Sequence, residues 1–242
     1  MVVVLGLLQA RAGPGATRDI AVVAAEALGV DGLALSLSTG TALTVTELVW
    51  CTDDSAREFE DLQLTLGEGP GPEAVRTGAM VWVPDLSRIS AERWPVLAVE
   101  AVGLSARAVF CFPMAIGAIR VGVLSAVRCT PGPLTPDQTD DALVLASALT
   151  ARCLNQDEPT PGTTDPTDPL CELQHAVVHQ ATGMLSVQLS LPLADALLRL
   201  RAHAWSSGRS IVATAKDVVE RRLRLDRHLN REGPTPPLPD KD

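Results

Sequence analysis

Residues 155–169 read Asn-Gln-Asp-Glu-Pro-Thr-Pro-Gly-Thr-Thr-Asp-Pro-Thr-Asp-Pro, with four prolines, one glycine and no large apolar side chain. Such a stretch has no donor-rich backbone to pair and nothing to bury, so it predicts an extended linker over 156–169. It divides the 242 residues into two parts that must fold around separate cores. A second proline-rich stretch predicts a disordered tail over 232–242.

Charge divides at the same place. Residues 1–169 carry 10 Arg against 21 Asp and Glu, whereas residues 170–231 carry nine Lys and Arg against five acids and hold all four histidines. An acidic front half joined to a basic back half is a cue for a polyanion-binding module, and equally fits a solvated helix face. Seven aromatic residues, none of them Tyr, argue against a nucleic-acid site built on stacked aromatic platforms. No apolar run reaches the roughly 18 residues of a membrane helix. The apolar start has no basic region before it, which predicts a cytoplasmic protein. Cys51, Cys111, Cys129, Cys153 and Cys171 form no C-x-x-C pair, so no metal site or disulfide framework is expected.

In the front half, apolar spacing predicts helices over 17–28, 53–64, 93–102 and 135–154, and strands over 32–38, 44–52, 80–83, 106–113 and 119–127, with a turn at 39–41. Asp53 and Thr135 are placed to cap helices, and Pro136 suits a first helical position. The expected class is α+β, an antiparallel sheet with packed helices. That order, with Leu66-Gly-Glu-Gly-Pro70 and Glu73-Ala-Val-Arg-Thr-Gly78 ahead of Val81-Trp-Val-Pro-Asp85, resembles a GAF domain over 17–155, of the kind found in actinobacterial signalling proteins. The resemblance implies a sensor pocket for a small molecule between sheet and helices. The Asn-Lys…Phe…Asp-Glu pattern of cyclic-nucleotide members is missing, and Gly71 stands where some relatives have Cys. Gly67 and Gly69 permit tight turns, either as a structural loop or as a ligand clamp. Trp50, Trp82, Trp94 and Phe110 are candidate pocket linings, or plain core.

In the back half, Leu170, Leu173, Val177, Ala181, Met184 and Leu185 recur at helical spacing and predict a helix over 171–189. A second helix from Pro192 to Ser207 stops at Gly208, and Ser210 caps a third whose outer face carries Lys216, Arg221, Arg222 and Arg224. Three helices of about 15–19 residues make a small bundle. His179-Gln-Ala-Thr-Gly-Met-Leu185, Ala194-Asp-Ala-Leu-Leu-Arg-Leu-Arg-Ala-His-Ala204 and Val212-Ala-Thr-Ala-Lys-Asp-Val-Val219 together resemble an ANTAR domain over 170–226. The resemblance implies a homodimeric RNA-binding module of a transcription antitermination regulator that grips paired stem-loops in mRNA leaders. Thr182 and Pro192 depart from that family's usual cation and cap.

Ala181 and Gly183 leave a shallow spot on the helix, open either to RNA backbone or to close helix packing. Arg199, Arg201, Arg209, Lys216, Arg221 and Arg222 are the candidate phosphate contacts. Leu170, Leu173 and Val177 are a candidate dimer seam, or internal packing. The alternatives are a DNA-binding bundle of helix-turn-helix type and a thiol reductase using Cys51, Cys111 and Cys129. No catalytic set, cofactor motif or metal spacing is visible, so the chain reads as a non-enzyme.

Overall fold

The computed structural model describes residues 16–38, 46–154 and 175–225. The turn at 39–41, the linker, the tail, Leu170, Cys171 and Leu173 lie outside the described residues.

The elements run α1 (Ala16–Leu28), β1 (Gly32–Ser38), β2 (Thr46–Cys51), α2 (Asp54–Leu66), α3 (Pro70–Thr77), β3 (Val81–Val83), α4 (Leu97–Glu100), β4 (Ala108–Ile116), β5 (Ile119–Arg128) and α5 (Pro136–Leu154). A helical bundle follows, α6 (Ala176–Leu189), α7 (Leu193–Ser206) and α8 (Ile211–Val219). The strands form one antiparallel sheet in the order β2-β1-β5-β4-β3.

Side chains alternate across the pleat and both faces are covered. Leu33, Leu35, Phe110, Phe112, Met114 and Leu124 face the layer of α1 and α5. Ala34, Val81, Val109, Cys111, Val123 and Val127 face α2 and α3, against Phe59, Ala74 and Val75. This double burial explains why the strands read as nearly continuous apolar runs.

Local chemistry sets the helix ends. Asp53 accepts from the Ser55 and Ala56 amides and starts α2, and Thr135 accepts from the Gln138 amide and starts α5. Ser210 accepts from the Ala213 amide and starts α8.

One element is added and two expectations are corrected. The segment after Gly69 is a helix, α3, because Pro70 occupies its first position and Gly78 ends it in the left-handed region. The predicted helix over 93–102 is reduced to α4 and a short 3-10 turn, since Pro95 interrupts its start. In the bundle the helices have 14, 14 and nine residues, and α8 stops before Arg221, whose φ of 60° reverses the chain.

Candidate functional site

Helix α2 lies between the two domains and presents a different face to each. Towards the sheet it carries Phe59 and two buried polar side chains, Glu60 and Gln63. The Ser36 hydroxyl donates to Glu60 Oε2 at 3.0 Å and Gln63 Nε2 donates to Oε1 at 3.3 Å. Ser125 also bonds the carboxyl and lies 3.7 Å from the Cys111 thiol. Burial pushes the Glu60 carboxyl above its usual range, against the pull of those hydroxyls, and burial likewise pushes the Cys111 thiol up. The result is a buried polar cluster inside an apolar layer, held together by hydrogen bonds to the Glu60 carboxyl group.

The Gly67-Glu68-Gly69-Pro70 loop is spent on the same interior. Gly67 ends α2 at φ 72°, and the Glu68 carboxylate accepts from the Val96 and Leu97 amides at 2.8 and 2.9 Å, capping α4. The Gly71 amide donates to Gln63 Oε1 at 2.7 Å, and a Cβ on Gly69 would stand 2.6 Å from that oxygen. Of the two readings of this loop, its groups serve the structural one.

Towards the bundle, α2 carries Asp61, Leu64 and Thr65. Leu64 is buried among Leu185, Leu197, Leu200 and Ile211, so the bundle core includes a side chain of the sheet domain. The Thr65 hydroxyl accepts from the Ile211 amide at 3.1 Å. Arg201 Nε donates to the Leu64 carbonyl at 2.8 Å, and burial lowers its pKa. His175, itself buried, donates its amide to Glu47 Oε1 at 2.6 Å and pairs through Nε2 with Asp61 at 2.7 Å. The Leu48 amide points at Nδ1 at 3.5 Å. His179 Nε2 meets Glu47 Oε2, and Glu47 is completely buried.

The aromatic residues expected to share a pocket do not. Trp50 and Phe110 lie in the layer of α1 and α5, and Trp94 lies beyond the sheet with α2 and α3. Trp82 packs edge-on against Phe110 at 5.7 Å, and with Trp94 it lines a cleft of about 560 Å³ at the β3 edge. Trp50, Trp82 and Phe110 stand on strands and point to one face of the sheet, whereas Trp94 lies outside the strands and packs on the other side.

The candidate RNA residues also divide. Ala181 is fully buried in the bundle core, so close packing accounts for it. Gly183 has open space where its Cβ would stand, so close packing does not. Arg201 is committed to α2. Arg209 and Arg222 both bind Asp217, at 2.7 and 2.6 Å, and hold its carboxyl below the usual range. Arg199, Lys216 and Arg221 make no ion pair among the described residues, and neither does Arg224, which is absent from the predicted set. Arg221 and Arg224 line a cleft of about 830 Å³ with Gly183, Met184 and Val187. Val177 packs against the bundle's own core.

The residues that sequence reasoning missed are Glu47, Asp61, Leu64 and Thr65, the docking set on the sheet domain. A carboxylate in the apolar run of β2 was the available signal.

A five-stranded antiparallel sheet between helical layers, with a polar cluster under α2, defines an α+β domain. The GAF domain family model matches residues 16–153, and the chain belongs to that family. No curated protein matches the chain. Among solved structures, the chain is similar to the GAF domain of a phosphoenolpyruvate-protein phosphotransferase from Coxiella burnetii at 16% identity, covering 63% of this chain and 92% of that one, with a TM-score of 0.49. The corresponding domain from Acinetobacter gives 15%, 62%, 87% and 0.48. Free methionine-R-sulfoxide reductase from Neisseria meningitidis, solved with its substrate, gives 18%, 62%, 83% and 0.43.

Proposed function

We propose that this chain is a cytoplasmic regulator in which the GAF domain controls an RNA-binding C-terminal bundle of ANTAR type, acting in transcription antitermination on stem-loop leaders. The observation that carries it is the basic cleft at Gly183, Arg221 and Arg224, whose arginines have no ion-pair partner among the described residues. Arginines without internal partners beside an open backbone are suited to phosphates and unpaired bases. Arg199 and Lys216 are further cations of the bundle with no ion pair among the described residues.

The control follows from docking. Arg201 and His179 are held against α2 and Glu47, so a nucleic acid meets them only when the bundle separates. A small molecule entering the polar layer at Glu60 would shift α2 and with it the docking surface on its far side. Dimerisation of the bundle would join two weak hairpin contacts into one stronger one. The chain is read as a non-enzyme: Cys51 and Cys111 are buried, and burial keeps the Cys111 thiol protonated and inert.

Gel shift of the full chain on paired hairpin RNA tests this. Wild type binds, Arg221→Glu/Arg224→Glu does not, and Glu47→Gln binds more tightly by loosening the dock. Wild type and Glu47→Gln binding no better than the double variant would overturn the proposal. Duplex DNA competing as well as hairpin RNA would transfer the cleft to the DNA-binding reading.

A further inference from the structure

Between α2, the turn after α4 and the start of α8 lies a second cleft, of about 630 Å³, built from both domains. That volume is in the range of small-molecule sites. It is independent of the RNA cleft, which lies on α6 and the segment after α8.

Its chemistry is uneven. Leu62 and Leu104 supply apolar wall, and Trp205 lines it with a ring that is 53% exposed. Asp54, Glu58 and Glu100 bring three carboxylates with no hydrogen bond or ion pair among the described residues. Two arginines also line it, but Arg209 is neutralised by Asp217, and Arg57 has an interaction of its own. With Asp61, the lining holds four carboxylates against these two arginines, an acidic balance beside aliphatic and indole surface. Among the described residues no group of acidic side chains converges closely enough to hold a metal ion. Dispersed carboxylates along an apolar wall call instead for separated cationic centres joined by methylene chain, with one ammonium over the indole face.

We propose that this cleft binds a linear aliphatic polyamine, and that the occupant bridges the GAF domain and the bundle. The proposal rests on the docked arrangement of the two domains and is separate from the RNA reading. A bridging ligand binds the docked state alone and so favours it by mass action.

Isothermal titration of the full chain with spermidine, in about 150 mM NaCl to screen diffuse attraction, tests it. One saturable site is expected. Glu58→Gln/Glu100→Gln and, separately, Trp205→Ala should each raise Kd by roughly tenfold or more, while Asp140→Asn/Asp141→Asn on α5 leaves it unchanged. Since all of these side chains are at least partly exposed, the variants keep the fold, which circular dichroism verifies. Absence of a saturable heat, or equal weakening by the α5 control, would sink the proposal. Displacement of spermidine by equimolar Mg²⁺ would also overturn it, in favour of a divalent-cation site.

Discussion

The imidazole of His179 closes on the carboxylate of Glu47 across the seam between the two domains, and the Glu47 side chain has no access to solvent. A buried carboxyl group needs hydrogen-bonding partners to offset the loss of water. Glu47 obtains its partners from the bundle, the amide of His175 and the ring of His179. Separating the domains would return that carboxylate to water, so the contact is specific to the docked state.

The first prediction concerns pH. The Glu47 hydrogen bond raises the His179 pKa above its ordinary value of 6.5, with burial opposing. A group whose pKa is raised on docking contributes stability that is complete below 6.5 and is lost as pH rises through the docked value. Interdomain fluorescence transfer should therefore show weaker docking at alkaline than at mildly acidic pH. His179→Gln should flatten that dependence. A wild-type profile unchanged in the variant would refute the assignment.

The second concerns Glu60. Its pKa is raised by burial, so ionising it in the folded state costs stability as pH climbs above 4.5 towards the folded value. Glu60→Gln keeps the shape and removes the ionisation. Its melting temperature should exceed that of wild type at pH above the Glu60 pKa, with the difference shrinking towards acid. Thermal denaturation across a pH series gives the comparison, and a constant offset would contradict it.

Leu64→Ala should strike the bundle rather than the domain that carries the residue. Leu64 is buried among Leu185, Leu197 and Leu200. Truncating a buried leucine costs about 2–5 kcal/mol. Hydrogen exchange should quicken along α6 to α8 while the β1–β5–β4 centre of the sheet keeps its protection. Equal loosening of both would count against the shared core.

Gly183→Ala separates structure from recognition. A Cβ there meets nothing within 4 Å, so the substitution should stabilise α6 by up to about 1 kcal/mol through helix propensity. If RNA backbone approaches at Gly183, the same methyl group should weaken hairpin binding. A variant both more stable and equally competent for RNA would remove Gly183 from the interface.

Much of this was legible in the chain because local rules and packing agree. Apolar spacing located the five strands and the long helices, and Asp53, Thr135 and Ser210 marked starts that their capping bonds confirm. Helix α3 was not legible. Pro-Gly-Pro gives no helical periodicity, and the helix rests on Pro70 in the first turn, the Gly78 stop and the Gln63 side chain that accepts from the Gly71 amide. The aromatic set divides for a different reason: Trp94 lies outside the strands and packs on the face opposite Trp50 and Phe110, a placement that composition does not encode. The arginines of the bundle looked equivalent in sequence, yet Asp217 occupies two of them and α2 takes a third. Those pairings depend on a contact over 130 residues apart, on the entry to α8 and on a tight turn after it, which periodicity does not encode.

Leu64 has a consequence for anyone cutting this chain. Because the helical part borrows that side chain for its interior, severing the two halves leaves one with a protruding leucine and the other with a vacancy of the same shape. Neither fragment reproduces its surface in the whole, so measurements on excised pieces would describe states the intact molecule visits only when it opens.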